Sequence, residues 1–190
     1  MHDFIRAVTS NNVMPLIPTL RKDLFVNGFF TDEMYLYTLY QTQRDSVSHF
    51  FDNRMIGPLF YVNLPDDWYI VDVWNKRTVE ICKIKGRKCA FLPQEMPEEV
   101  GCFVAMPKRI QVSQKNGKWI AQIPGGAPGT LELAGIDITK RDIKGPEVTA
   151  DSLLIFDRNT AERSSDGYVL VQYRNDNNEV KDVALVKVGY

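Results

Sequence analysis

The chain has 190 residues, 44 % of them hydrophobic, 11 % aromatic and 25 % charged. Such a length suits one domain, or a domain with an appendage, that buries roughly 70 % of its unfolded surface, and the balance rules out wholesale disorder, a collagen-like fibre and a disulfide-dense scaffold. Lys and Arg number 23 against 24 Asp and Glu, a net charge of -1, whereas a chain committed to coating nucleic acid or an anionic membrane carries a basic excess.

Met1 to Ser10 place an acid at Asp3 and interrupt the apolar run at Arg6, so no secretory signal is expected. Apolar runs such as Val183 to Val186 are far shorter than a membrane helix. The three cysteines, Cys82, Cys89 and Cys102, cannot all pair within one chain. They are expected as free thiols acting as small buried hydrophobes, in a cytoplasmic protein or one assembled into a particle.

The first residues predict a short helix from Asp3 to Val8, then an extended connector in which Pro15 and Pro18 flank Leu16 and Ile17. Asn27-Gly28 reads as a turn. Thr31 is placed as an N-cap, with Asp32 and Glu33 suited to the helix dipole. Leu36, Leu39, Tyr40, Gln43, Val47, Phe50 and Phe51 then recur at three- and four-residue spacings. They predict an amphipathic helix from Asp32 to Asn53, stopped by Gly57-Pro58.

From Pro58 onward the period shortens to that of strands. Runs rich in Val, Ile, Tyr, Phe and Trp occupy 59–63, 68–74, 78–84, 88–92, 101–106, 109–115, 118–123, 130–133, 152–157, 168–173 and 179–188. Asn116-Gly117 is a two-residue type I′ signal. Pairing outward from it sets Gln114 opposite Trp119, Val112 opposite Ala121 and Ile110 opposite Ile123 on one face. Lys115 with Lys118, Ser113 with Ile120 and Gln111 with Gln122 fall on the other. A second ribbon joins 168–173 to 179–188 through Arg174 to Asn178. The expected fold is α+β: a predominantly antiparallel β body over 58–190, sandwich- or barrel-like, preceded by a helical and extended docking segment over 1–57, whether as two parts or one continuous domain.

Motifs that fix a reaction are missing. With His2 and His49 the only histidines and no Cys-x-x-Cys, neither a metal nor another cofactor is expected. No serine sits in a Gly-x-Ser-x-Gly elbow. Gly125-Gly126-Ala127-Pro128-Gly129 lacks the Gly-Lys-Ser/Thr of a phosphate loop and reads as a hairpin loop. Asp66-Asp67 reads as a turn before Trp68.

Charge is uneven along the chain. Residues 1–60 carry 5 basic against 6 acidic groups, 61–120 carry 10 against 7, and 121–190 carry 8 against 11. The basic excess concentrates in Lys76, Arg77, Lys83, Lys85, Arg87 and Lys88, near Trp68, Tyr69 and Trp74. A single-strand nucleic-acid binder mixes charge and aromatics in this way, and so does a strand with one solvated face. Regions of opposite sign in one chain also suit head-to-tail assembly.

Asp151-Ser152-Leu153-Leu154-Ile155-Phe156-Asp157-Arg158, followed by Asp166-Gly167-Tyr168-Val169-Leu170-Val171, resembles the β-core of self-cleaving SOS repressors and signal peptidases over about forty residues. The resemblance implies a β-core and places Lys181 near that family's catalytic lysine. Where the family's serine belongs, this chain reads Lys144-Gly145-Pro146-Glu147-Val148-Thr149, so a shared fold would imply a relative without protease activity.

The expected function is non-enzymatic: a structural or interaction protein, one subunit of a larger homo- or hetero-oligomeric assembly such as a virion connector or collar, with protein partners and no membrane. The apolar surplus of the N-terminal segment, Leu16, Ile17, Leu20, Leu24, Phe25, Phe29 and Phe30, supplies the docking element unless it finishes the core. The alternatives are a nucleic-acid-associated protein acting through residues 76–88, which is not favoured, and the degenerate serine–lysine peptidase.

Overall fold

The computed structural model describes residues 9, 11–42, 55–96, 100–123, 129–134, 154–156 and 167–188. Every regular element among them is a strand, which corrects the α+β expectation to an all-β architecture. The expected helix from Asp3 to Val8 lies outside the described residues, as does the 43–53 portion of the longer one. The described portion of that longer helix is the second strand of a hairpin instead. Strand β1 (Val13–Met14) precedes residues 15–18, which stay outside regular structure as expected of the connector, while β2 (Leu24–Phe30) and β3 (Tyr35–Gln41) replace the expected turn and helix start.

Three local causes explain the replacement. Thr31 does cap, but it caps the loop between β2 and β3. Its hydroxyl accepts from the Met34 amide at 3.0 Å and donates to the Met34 carbonyl at 3.0 Å, the same Ser/Thr chemistry that serves a helix N-terminus. Gly28 lies inside β2 because a ring covers it: a β-carbon there would meet Phe30 Cζ at 2.5 Å and Ile17 Cδ1 at 2.7 Å. On β3, Tyr37 and Leu39 are buried on the core side while Leu36 is buried on the opposite face. A strand with apolar residues on both faces, one of them covered only at Leu36, loses its period-two pattern, and the remaining apolar spacing imitates a helix.

The chain divides into two compact units, 6–74 with 78–105, and 106–190 with 1–5 and 75–77. The first is built on β1–β3 with β4 (Met55–Tyr61), β5 (Trp68–Asp72), β6 (Arg77–Ile84), β7 (Arg87–Met96) and β8 (Val100–Pro107). These strands form one sheet in the order β1-β2-β3-β8-β5-β6-β7-β4. The sheet is curled into a half-barrel, and Thr19, between β1 and β2, forms a bridge with Phe60 of β4. The Leu20 amide donates to the Leu59 carbonyl at 2.7 Å beside it. The connection between β1 and β2 is thereby tied to β4 at the far end of the sheet, which reduces the unpaired edge. Inside the curl Tyr37, Phe60, Trp68 and Phe103 pack with Val26, Leu39, Leu59 and Ile70.

The second unit holds two three-stranded sheets. One runs β12 (Leu154–Phe156), β10 (Lys118–Gln122), β9 (Gln111–Lys115), and the other β11 (Gly129–Ala134), β13 (Tyr168–Asn175), β14 (Val180–Lys187). Ala121, Leu154 and Phe156 from the first enter one core with Leu131, Val169, Val171 and Val186 from the second. The β9–β10 register pairs Gln114 with Trp119, Val112 with Ala121 and Ser113 with Ile120, as the turn arithmetic predicts. Asn116 and Gly117 both take positive φ, 53° and 74°, the requirement of a type I′ turn. Every run expected as a strand from Leu59 onward overlaps one.

Candidate interaction surface

The structure separates the seven apolar residues of the docking segment. Ile17 and Leu24 belong to the core, and Phe29 and Phe30 are half-buried. Leu16, Leu20 and Phe25 are exposed, at 66 %, 38 % and 43 % of their surface. Phe25 is directly opposite Tyr40 on β3, and Tyr40 is directly opposite Val100 on β8. The three side chains therefore stand in one row across three adjacent strands, and each is more than two-fifths exposed. Sequence reading found Phe25 from its apolar neighbours. It missed Tyr40 and Val100, because only cross-strand register puts residues 25, 40 and 100 side by side.

Beside the row, residues 16–22 and 24–26 line an open groove of about 400 Å³. Arg21 of that lining is paired with Asp23, which is buried, at 8 % exposed. Arg21 donates to both Asp23 carboxylate oxygens, at 3.2 and 2.9 Å, and Gln41 donates to one of them at 2.7 Å. The Arg21 guanidinium draws the Asp23 pKa down to about 2 against the opposing effect of burial, and Gln41 assists. Asp23 thus stays ionised through the physiological range, and the Thr42 amide donates to its backbone carbonyl at 2.9 Å.

The basic residues are distributed differently from their spacing in sequence. Lys76 is buried, and Arg77 is half-buried. Lys83, Lys85, Arg87 and Lys88 share the β6–β7 hairpin, with Lys83 directly opposite Lys88. Lys88 is turned into the structure, 2.7 Å from the Asp66 carboxylate and donating to the Leu64 carbonyl. The Lys88 hydrogen bond holds the Asp66 carboxyl below the usual range, with Lys83 adding to it. The Arg87 guanidinium stacks 3.8 Å above the centre of the Tyr61 ring. Lys83 and Lys85 are exposed.

Among the described residues of the second unit, the buried Arg174 and Asp182 are both hydrogen-bonded within it. Arg174 donates to Glu132 through Nε, to Gln172 at 3.0 Å and to the Asn178 carbonyl at 3.2 Å. Asp182, fully buried, accepts from the amides of Arg109, Ile110 and Val183. Lys181, which the peptidase resemblance singles out, lies 3.1 Å from the Glu179 carboxylate. The two strands on which that resemblance rests, β12 and β13, fall in different sheets. His49 and residues 144–149 are outside the described residues. Among the described residues no three His, Cys, Asp or Glu side chains converge as a metal site requires, and no helix is long and apolar enough to cross a membrane.

No family of known proteins matches the chain, and no curated protein matches it in sequence.

Proposed function

We propose that the protein is a non-enzymatic structural or interaction subunit that docks onto a protein partner through the outer face of the first unit. The observation that carries the reading is the exposed row Phe25, Tyr40 and Val100. Aromatic side chains standing together on a sheet provide the large, low-entropy contact area on which protein interfaces depend. Leu16 and Leu20 extend the apolar surface along the groove, where Arg21 is held by its pair with the buried Asp23. A prepositioned surface loses little conformational entropy on binding. β1 is only two residues long, so docking uses the face of the sheet rather than its edge.

A second copy of the chain is the first partner to test. Light scattering coupled to size exclusion over a range of concentrations should show association of the wild-type chain. The double variant Phe25→Ser/Tyr40→Ser should weaken that association by about tenfold or more, the loss expected for a central aromatic contact. A wild-type chain that stays strictly monomeric at high concentration counts against the reading. Salt-dependent binding to an oligonucleotide, abolished by changing Lys83, Lys85 and Arg87 to Ala, would move the function to the β6–β7 hairpin instead.

A further inference from the structure

The β6–β7 hairpin brings two of the three cysteines together. Cys82 on β6 is directly opposite Cys89 on β7, and both are free thiols. Their register is set by the two-residue turn Lys85-Gly86, with φ of 49° and 78°. Pairs alternate outward from such a turn: Ile84 with Arg87 is hydrogen-bonded through the backbone, Lys83 with Lys88 is not, and Cys82 with Cys89 is again. A pair of this kind holds its α-carbons about 5.5 Å apart, within the span of a disulfide. Its β-carbons, also about 5.5 Å apart, are wider than the roughly 3.8 Å of a relaxed one.

Their surroundings assign them different parts. Cys82 is half-buried, so a reagent reaches it. Cys89 is fully buried, its thiol donating to the Ala90 carbonyl at 3.3 Å. Tyr61 of β4 is paired with Cys89 on its other side, and Arg87 stacks on the Tyr61 ring. Cys102 lies on β8 opposite Thr38, where it is fully buried.

We propose that Cys82 and Cys89 are a reversible redox modification site, a cross-strand dithiol closed to a disulfide by small-molecule disulfides of the glutathione class. The Cys82 thiolate attacks one sulfur of the oxidant, breaking its S–S bond and releasing the first thiolate. The Cys89 thiolate then attacks Cys82 Sγ, forming the protein S–S bond and expelling the second. The two thiol protons pass to the two released thiolates through solvent. The two electrons lost by the protein sulfurs reduce the oxidant to two thiols. The wide β-carbon spacing strains the product, which places it with labile, readily reduced disulfides rather than with structural staples. Burial pushes the Cys89 thiol up to about 11, so the second step quickens as pH rises.

The test uses the full chain in buffers of oxidised and reduced glutathione, quenched by alkylation and mapped by mass spectrometry. Cys82 and Cys89 should lose alkylation together and appear in one cross-linked species about 2 Da lighter than its two free peptides, and reduced glutathione should restore both. Closure should accelerate between about pH 7 and pH 9. Cys102 should be alkylated only after denaturation. In Cys89→Ser, Cys82 should stop at the glutathione adduct. Because Cys89 is buried, Cys82→Ser at the half-exposed position is the second variant, and it should yield no cross-link. A folded wild-type chain in which the Cys82 adduct accumulates while Cys89 remains a free thiol overturns the proposal, as does a cross-link that involves Cys102.

Discussion

In the first unit aromatic rings make the core: Phe30 meets Tyr35 edge-on at 4.9 Å, Tyr35 meets Trp68 at 4.8 Å, and Tyr37 meets Phe60 at 5.0 Å. In the second, Leu, Ile and Val from two sheets outnumber the aromatic Phe156 and Tyr173 in the core, and a buried Glu132–Arg174 pair ties β11 to β13. Among the described residues the first unit exposes Val13, Met14, Leu16, Leu20, Phe25, Tyr40, Ile56 and Val100, whereas the second exposes only Val112 and Ile155 among its large hydrophobics. A curled single sheet has one inner face, and bulky rings can fill it. Its outer face must then find cover elsewhere or stay exposed. Two sheets facing each other cover their apolar faces mutually, so register depends more on specific polar contacts.

Three measurements break or sharpen this contrast. The largest effect is expected from Phe103→Ala, which empties the centre of the aromatic core next to Phe60 and should cost about 3–5 kcal/mol. Hydrogen exchange should accelerate in β3 and β8 while β13 and β14 keep their protection. Equal acceleration in both units would show that the two cores open as one. Next comes Arg174→Met, which leaves the buried Glu132 carboxylate without its cation. It should cost about 3 kcal/mol in chemical denaturation, whereas Glu132→Leu/Arg174→Met should recover most of that loss. Failure of the double variant to recover would mean that the pair sets the register of β11 on β13 rather than merely satisfying itself. The smallest effect is the acid response of the groove. The folded Asp23 pKa lies below its ordinary value of 3.8, at about 2, so its contribution is present above about pH 4 and lost as pH falls toward 2. That contribution is on the order of 2 kcal/mol. Asp23→Asn should flatten the stability of the first unit across that window, measured by intrinsic tyrosine and tryptophan fluorescence. An unchanged acid profile would show that the pair of Asp23 with Arg21 contributes nothing to stability.

Legibility in the sequence follows the same division. The strands from Leu59 onward alternate with strong turn residues, and each could be recognised from local chemistry. The β2–β3 hairpin could not. Thr31 offers the same hydroxyl to a hairpin loop as to a helix, Gly28 is small because Phe30 lies over it rather than because the chain turns there, and β3 carries apolar residues on both faces, Leu36 and Tyr40 on one and Tyr37 and Leu39 on the other. The interaction surface was half legible. An apolar surplus at Leu16, Leu20 and Phe25 can be counted, but their exposure and the company of Tyr40 and Val100 require the register of three strands. Likewise the sequence clusters six cations without revealing that Lys76 is buried and that Lys88 turns toward Asp66 and Leu64.

By itself the sequence determined the β character of the chain after Pro58 and the register at Asn116-Gly117, because φ preferences and side-chain alternation act over a few residues. It also set Cys82 and Cys89 at equal distances from the Lys85-Gly86 turn, so pairing across that turn makes them neighbours. Only the tertiary structure decided that residues 24–41 form strands, which of their apolar side chains enter the core, and which cations are taken up in internal contacts. Those outcomes depend on partners distant in sequence: Phe60 behind Tyr37, Val100 beside Tyr40, and Leu64 and the exposed Asp66 at the Lys88 ammonium. Burial and charge pairing are decided by such neighbours, which no local window contains.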